Sequence, residues 1–328
     1  MMRSRTNPIR VLASLIGCVI WVACFVLMGC QTDSNTVTVD FSKRAKILQP
    51  VLCETNPNAL RVAVASITSP KQTMIFYHEL LRYVGEKLER DIILVQRKTY
   101  AEVNELLGSG DIDLAFICSG PYAVAKNRYG LVPIAMPVVM QKETYRSYLI
   151  VNRDSQASNL EALRGRTFAF SDPESNTGFL VPHFILNRIG ETADHFFSKT
   201  IYTYSHDNSI MAVARSLVDG AFVHEQIWEY FRHQDPHFTS QTRVIFRSQP
   251  FGNPPVVASS HLPAQTIQRI KHLLYNLHMD PQGKSILGQL MIERFVPVKE
   301  ELYEPIRRMV LALNAKGATP AVYEKSAH

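Results

Sequence analysis

The chain has 328 residues, of which 46% are hydrophobic, and a formal net charge of +6 at pH 7. Three of its 35 Lys and Arg residues, and none of its 29 Asp and Glu residues, lie within the first 29 positions, so the remainder carries only about +3. Such a balance, without any Lys/Arg-rich run after residue 29, excludes nucleic-acid binding as the main function. The length is sufficient for two lobes with separate cores.

The N-terminal segment predicts export from the cytoplasm. Arg3, Arg5 and Arg10 precede an apolar run of 18 residues, and LMGC follows at 27–30. A basic start before an apolar run is typical of a secretory signal, and LMGC resembles the lipobox of bacterial lipoproteins. This resemblance implies a signal peptide at 1–29, a lipid on Cys30 and a polar tether at 30–58. The apolar run also has the length of an uncleaved membrane anchor, which we consider the weaker alternative.

From residue 59 the chain alternates between strand and helix patterns. LRVAVA (60–65), DIILVQ (91–96) and residues 112–117 read as buried strands, with helical spacing of apolar residues between them. This β-α-β-α-β order predicts a parallel sheet with helical crossovers. VPIAMPVVM and YRSYLIVN predict two more strands, and the chain from TFAF (167–170) to GAFV (220–223) predicts a second α/β unit.

The C-terminal part is predicted to return to the first unit through VIFRSQPFGNPPVVASS, before two apolar helical stripes. We therefore predict an α/β fold with mixed sheets flanked by helices and arranged in two lobes. Residues 59–140 and 258–328 would form lobe 1, and residues 141–257 would form lobe 2. Because ligands of open α/β sheets bind beyond the carboxyl ends of the strands, a ligand cleft is expected between the lobes.

One polar turn, SDPESNTG at 171–178, carries more hydrogen-bonding groups than an ordinary turn. Ser175, Asn176 and Thr177 precede Gly178 and an apolar helix that is predicted to end at Gly190. Free N–H groups at a helix start suit an anion, and a glycine lets a ligand approach the backbone closely. Ser, Thr and Asn also cap helices that bind nothing. From these residues alone, a binding turn and a helix cap both remain open.

Five motifs in register resemble the phosphate/phosphite/phosphonate-type substrate-binding proteins of bacterial ABC importers. They are DIDLAF with SGPYA, SYLIVNRDS with LEALRGRTFAF, DPESNTGFLVPHFIL, SHDNSIMAVARSLVDGA and the segment before PPVV. The resemblance implies a type 2 periplasmic-binding-protein fold that closes on phosphate, phosphite or an alkylphosphonate, with no cofactor and no catalysis. It also implies an ABC permease as partner. The same fold serves as an input module for membrane sensor kinases, and the sequence does not separate these two roles.

The resemblance also assigns ligand-binding residues. It matches the oxyanion-holding turn to Ser175, Asn176, Thr177 and Gly178, and it matches the cleft histidine to His206. The turn after the third strand matches Ser119 and Tyr122 more loosely, and Tyr145 falls where the family often has an aromatic residue. For His206 the alternative is an ordinary helix-start residue, and for Tyr122 and Tyr145 it is a core aromatic.

One departure from the family concerns the acidic groups that hold the ammonium of aminoalkylphosphonates. This chain has Asn253 and Gln226 at the matching positions, although Glu225 stands one residue away. We therefore expect phosphate, phosphite or a simple alkylphosphonate to bind better than an aminoalkylphosphonate.

Other chemistry is not predicted. The sequence contains no GxSxG motif, so a hydrolase is disfavoured. HQDPH (233–237) resembles a metal cluster, but Pro236 interrupts the helix that would align its histidines, so no metal site is expected. An exported compartment permits a disulfide between Cys53 and Cys118, but the sequence does not show that they meet.

Overall fold

The computed structural model describes Asn56, residues 58–318, Pro320 and Tyr323. The predicted signal peptide, most of the predicted tether, Cys30 and Cys53 lie outside these residues, so the lipidation and disulfide predictions fall outside them as well. Cys118 is 2% exposed, and its burial raises the pKa of the thiol to about 11. None of the described helices has the length and apolar character needed to cross a membrane.

A six-stranded mixed sheet combines the first part of the chain with the last. Its strands are β1 (Leu60–Val64), β2 (Ile92–Val95), β3 (Leu114–Phe116), β4 (Val132–Val139), β12 (Val256–Ala258) and β13 (Ile292–Val296), in the order β13-β4-β12-β3-β1-β2. β1 runs parallel to β2 and β3, as the β-α-β-α-β pattern predicts. β12 is antiparallel to both of its neighbours, β3 and β4. The predicted lobe boundary at 257/258 therefore falls inside β12.

Helices accompany this sheet, and we call the sheet with these helices lobe 1. They are α1 (Pro70–Leu88), α2 (Tyr100–Ser109), α3 (Ser119–Ala125), α8 (Ala264–Asn276), α9 (Pro281–Gln289) and α10 (Glu304–Asn314). Short 3₁₀ turns lie at Leu277–Met279 and Glu300–Tyr303. α2 begins with a capping box, because Thr99 Oγ1 accepts from the Glu102 N–H at 3.3 Å and Glu102 Oε2 accepts from the Thr99 N–H at 2.8 Å.

The second sheet has five strands and is continuous in sequence. They are β6 (Ser147–Asn152), β7 (Thr167–Phe170), β8 (Lys199–Tyr202), β9 (Gly220–His224) and β10 (Thr242–Arg247), in the order β10-β6-β9-β7-β8. Its helices are α4 (Val181–Arg188), α5 (Ala193–Phe196), α6 (His206–Ala214) and α7 (Glu225–Gln234), and 3₁₀ turns lie at Glu161–Leu163 and Thr239–Gln241. We call this sheet with its helices lobe 2.

The central strands of both sheets are buried on both faces, which explains why they read as continuous apolar runs. In β1, Val62 and Val64 enter one core, whereas Ala63, which points the other way, enters a second core. In β9, Phe222 joins that second core, while Val223 packs into a third. Because successive side chains of a strand alternate in direction, a strand between two layers needs no polar face.

A two-stranded antiparallel ribbon lies where the chain passes between the two sheets. It pairs β5 (Thr144–Tyr145) with β11 (Phe251–Gly252). The completely buried Asn253 follows it, and its Nδ2 donates to the Pro137 carbonyl at 2.8 Å and to the Lys142 carbonyl at 2.9 Å. Its Oδ1 accepts from Gln226 Nε2 at 2.8 Å. Both the Nδ2 and the Oδ1 of Asn253 are therefore hydrogen-bonded, and these bonds join the segments that cross between the two sheets.

Candidate ligand site between the two sheets

Polar side chains with at most 2% exposure meet where the two lobes face each other. We call this set the buried polar cluster; it consists of Ser119, Tyr145, Ser171, Asn176, Thr177, His206 and His224. Tyr145 connects its two sides, because its hydroxyl contacts Ser119 Oγ and accepts from Asn176 Nδ2 at 3.1 Å. Its ring stacks on His224 with the centroids 4.0 Å apart.

The binding turn predicted at 171–178 combines a helix cap with unpaired polar atoms. Ser175 Oγ accepts from the Gly178 N–H at 3.0 Å, which is the contact of an N-cap. The Leu180 N–H then donates to the Ser175 carbonyl at 2.9 Å, which makes residues 176–180 a single π-helical turn ahead of α4. Asn176 Oδ1 and Thr177 Oγ1 have no hydrogen-bond partner among the described residues. The cap interpretation therefore accounts for Ser175 but not for Asn176 or Thr177.

The packing of neighbouring side chains requires a glycine at position 178. The sequence analysis gives a different reason, which is the close approach of a ligand to the backbone. A Cβ atom at this position would lie 1.9 Å from Ser171 Oγ and 3.0 Å from His206 Cε1. The space beside the glycine backbone is thus filled by two members of the buried polar cluster. Since the Gly178 N–H is already donated to Ser175, Gly178 brings the turn, Ser171 and His206 together without offering its own donor.

His206 presents one unpaired N–H donor to the cluster. Its Nδ1 accepts from the His224 backbone N–H at 3.2 Å, and this contact assigns the ring proton to Nε2. Burial lowers the pKa of His206 to about 3, so the imidazole is neutral at physiological pH. Nε2 has no partner among the described residues. Because an unpaired buried donor is costly, the atom is suited to a ligand acceptor.

His224 is a member of the cluster that the sequence reasoning missed. It is the last residue of β9, 2% exposed, and neither ring nitrogen has a partner in the described part of the chain. Burial, followed by the neighbouring His206, lowers the pKa of His224 well below its usual value. The signal that could have identified it is its position, because polar residues at the carboxyl ends of sheet strands face the ligand cleft of α/β folds.

Tyr122, predicted as a ligand contact, has another partner. Its hydroxyl donates to Glu300 Oε1 at 2.6 Å, and its ring packs edge to face on Tyr303 with the centroids 4.7 Å apart. The residue therefore belongs to the packing of α3 against the C-terminal helical region. Of the predicted aromatic contacts, only Tyr145 joins the buried polar cluster.

The carboxylates beside the cluster already have partners. Glu225 Oε1 accepts from the Tyr148 hydroxyl at 3.1 Å and lies 3.6 Å from Lys142 Nζ. Asn253 and Gln226, which the family resemblance matches to the ammonium-holding acids, hydrogen-bond to each other. In the described residues no cluster of His, Cys, Asp and Glu has the composition of a metal site.

Several hydrogen bonds join the two lobes directly around the cluster. The His206 N–H donates to the Ile67 carbonyl at 3.0 Å, and the Ser69 N–H donates to Asp207 Oδ1 at 2.8 Å. On the other side, the Tyr100 N–H donates to Asp172 Oδ2 at 3.1 Å. These contacts connect loops of lobe 1 with the start of α6 and with the binding turn, so the cluster is enclosed by both lobes.

Asp172 and its neighbour Glu174 form a second buried contact between the lobes. Asn104 Nδ2 donates to Glu174 Oε2 at 2.9 Å, and the Tyr323 hydroxyl donates to the Glu174 carbonyl at 2.8 Å. Burial raises the pKa of Asp172 to about 6. Burial and then the charge of Asp172 raise the pKa of Glu174 to about 7. These acids therefore hold protons more strongly in the folded protein than in the unfolded chain.

The chemistry of the cluster suits binding of an oxygen-rich anion. Its unpaired atoms include the hydroxyls of Ser171 and Thr177 and the Nε2–H of His206, and Tyr100 adds a buried, unpaired hydroxyl nearby. All of these groups are neutral donors on side chains that are held by packing. Two α/β lobes joined by a ribbon, with buried donors between them, are the architecture of solute-binding proteins that close around a small ligand.

Comparison with known proteins agrees with this class. A family model described as "ABC transporter, phosphonate, periplasmic substrate-binding protein" matches residues 62–303. The phosphonates-binding periplasmic protein of Escherichia coli (strain K12) is 25% identical over 276 residues, which are 83% of this chain and 81% of that protein.

Two solved structures show the same fold. A binding protein component of an ABC phosphonate transporter from Pseudomonas aeruginosa has a TM-score of 0.75 and 21% identity, over 80% of this chain and 89% of that one. PhnD1 from Prochlorococcus marinus in complex with methylphosphonate has a TM-score of 0.68 and 20% identity, over 79% of this chain and 99% of that one.

The chain belongs to the family of periplasmic substrate-binding proteins of phosphonate ABC transporters. The type 2 periplasmic-binding-protein fold and the family predicted from the five motifs are thereby confirmed. The protein is a binding component of an importer and not an enzyme, and its place is the periplasm.

Proposed function

We propose that the protein captures a small phosphorus oxyanion, namely phosphate, phosphite or an alkylphosphonate, in the buried polar cluster and delivers it to an ABC permease. The observation that carries this proposal is the group of buried donors without partners, which are the hydroxyls of Ser171 and Thr177 and the Nε2–H of His206. Buried polar groups are nearly always hydrogen-bonded in folded proteins. A ligand with several oxygen atoms would supply the missing partners together.

Electrostatics favour a small anion held by neutral donors. The cluster lies at the start of α6, where the positive end of the helix dipole favours negative charge. A hydroxyl or imidazole N–H that donates to an anionic oxygen forms a charge-assisted bond, which is about twice as strong as a neutral one. Because Glu225 is paired with Tyr148 and Lys142, no free carboxylate there offers an ammonium a partner.

Isothermal titration calorimetry tests the ligand class. A soluble form that starts at residue 31 would be unfolded, dialysed to remove carried-over ligand, refolded and titrated with phosphate, phosphite and methylphosphonate. We expect at least one of them to bind. His206→Ala should weaken that binding, whereas His233→Ala, which truncates an exposed histidine outside the cluster, should not. The proposal fails if none of the three anions binds, or if both variants bind as the parent does.

Delivery to a permease is tested in cells. Deletion of the gene should abolish growth on the bound anion as the sole phosphorus source, while growth on an unrelated phosphorus source continues. A sensory role would have a different signature, because uptake would persist and only the transcriptional response to the anion would be lost.

We also propose that the protein is a lipoprotein attached to the membrane through Cys30. The support is the LMGC sequence after a basic and apolar N-terminal segment. Cys30→Ser should abolish incorporation of labelled fatty acid and leave the precursor uncleaved. Mass spectrometry of a mature protein that begins at any other residue would refute this assignment.

A further inference from the structure

An apolar cavity of about 100 Å³ lies between the two lobes, beside the buried polar cluster. Lobe 1 contributes Phe76, Tyr77, Phe116 and Phe295 to its walls, and lobe 2 contributes Ile227 and Tyr230. The described residues that line it include no Asp, Glu, Lys or Arg. A ring contact helps to fix its shape, because Phe76 meets Tyr230 edge to face across the two lobes with the centroids 4.7 Å apart.

The cavity and the buried polar cluster meet at two residues. His224 lines the cavity, and its ring also stacks on Tyr145 and lies 5.7 Å from the His206 ring, centroid to centroid. Ile67 lines the cavity too, and its carbonyl accepts a hydrogen bond from the backbone N–H of His206 at 3.0 Å. His224 and Ile67 therefore border both the apolar cavity and the surroundings of His206, so an anion held by His206 would lie beside the cavity.

We infer that this cavity receives the organic substituent of a phosphonate, and that the substituent is uncharged and hydrophobic. The inference rests on the proposed function, since the phosphonate group itself would be held by the buried polar cluster. A cavity needs about 10–15 Å³ on this measure to hold one water molecule, so this cavity has room for several heavy atoms. A two- or three-carbon alkyl chain matches that volume, whereas phosphate and phosphite leave the cavity unused.

The walls discriminate against a charged substituent. An ammonium group that enters an apolar cavity loses its hydration, and this loss is large unless an opposite charge receives it. His224 offers no such charge, because burial followed by its neighbour His206 lowers its pKa well below the usual value and keeps the ring neutral. By contrast, each methylene group buried against these walls strengthens binding about 4-fold.

A matched series of ligands tests the inference by calorimetry on the unmodified soluble form. Propylphosphonate and 2-aminoethylphosphonate have the same number of heavy atoms and differ only in a terminal methyl against an ammonium group. We expect propylphosphonate to bind about 15-fold more tightly than methylphosphonate, because two more carbons are buried. We expect 2-aminoethylphosphonate to bind more weakly than methylphosphonate.

The outcomes separate this inference from the proposed function. If methylphosphonate binds but propylphosphonate binds no better, or 2-aminoethylphosphonate binds best, the cavity does not have the inferred role while the anion site stands. If phosphate or phosphite binds and no phosphonate does, the inferred role of the cavity is wrong but the proposed function stands. If no phosphorus anion binds, both fail together.

A carboxylate placed in the cavity wall provides a second test. Ile227 lines the cavity and is half-buried on α7, so Ile227→Glu should weaken binding of propylphosphonate and improve binding of 2-aminoethylphosphonate. Ile189→Glu is the matched control, because Ile189 is 52% exposed and lies outside the cavity. An unchanged preference in a correctly folded Ile227→Glu protein overturns the inference. If that variant does not fold, the ligand series on the parent decides.

Discussion

Replacing Thr177 with valine should stabilise the ligand-free protein and weaken ligand binding. Thr177 is completely buried, and its Oγ1 has no hydrogen-bond partner among the described residues. A buried hydroxyl without a partner costs about 1–3 kcal/mol, and valine keeps the branched shape while removing the polar atom. We therefore expect the free energy of unfolding without ligand to rise by about 1 kcal/mol in Thr177→Val.

The effect on affinity has the opposite sign. In the proposed complex the Thr177 hydroxyl donates to a charged oxygen, and the loss of such a hydrogen bond costs about 1.5–3 kcal/mol. At about 1.4 kcal/mol per factor of ten, the dissociation constant of methylphosphonate should rise roughly 10- to 150-fold. A residue that served packing alone would not produce this pair of opposite changes.

The control variant is Thr239→Val, measured by urea unfolding without ligand and by calorimetry with methylphosphonate. Thr239 is 2% exposed, and its Oγ1 also lacks a partner, but it lies in the 3₁₀ turn before β10 and outside the buried polar cluster. We expect it to share the gain in stability and to leave affinity unchanged. If Thr177→Val binds methylphosphonate as tightly as the parent, or loses stability without ligand, the role given to its hydroxyl is wrong.

Three further predictions concern pH and the segments that cross between the two sheets. Because burial lowers the pKa of His206 to about 3, the unfolded chain binds more protons than the folded protein below pH 6.5. The free energy of unfolding should therefore fall from pH 6.5 towards pH 3. His206→Gln should reduce that slope when unfolding is measured at a series of pH values. The effect of Glu174 on stability has the opposite dependence on pH, because burial and then Asp172 raise its pKa from 4.5 to about 7. The free energy of unfolding should therefore fall as the pH rises from 4.5 to 7. Glu174→Gln should raise the melting temperature at pH 8 but not at pH 4.5. Asn253→Asp removes both donors to the Pro137 and Lys142 carbonyls, so urea unfolding should show a loss of roughly 2 kcal/mol or more; an unchanged midpoint would contradict the role given to that amide.

Much of the fold could be predicted from local patterns. The alternation of buried strands and amphipathic helices determined the parallel β3-β1-β2 core and the second α/β unit, because each strand is long enough to show its apolar run. The position of β12 could not be predicted in this way. It lies between β3 and β4 in the sheet although about 115 residues separate it from the nearer of them in sequence, and pairing over such distances leaves no local signal.

The residues of the candidate site could be predicted where several polar residues lie together in sequence. They could not be predicted where the role of a single residue is decided by a contact with a residue far away in sequence. Asn176 and Thr177 stood out because they exceed the needs of a helix cap. Tyr122 is assigned to the site by the family resemblance, and the sequence cannot show that its hydroxyl donates to Glu300, which lies 178 positions away. His224 is not predictable because it ends an apolar strand, and its place in the cluster depends on the rings of Tyr145 and His206, which are distant in sequence.

Because the first sheet takes strands from both parts of the chain, its lobe can be completed only after the second sheet as the chain emerges from its N-terminus. Every strand of the second sheet lies between residues 147 and 247, so that sheet can pair completely before β12 begins at Val256. Until then β3 and β4 have unpaired edges in the middle of their own sheet, and such edges invite pairing with other chains. Lobe 1, which contains the first strands of the chain, is therefore completed last. Until then its unpaired strand edges are exposed to aggregation.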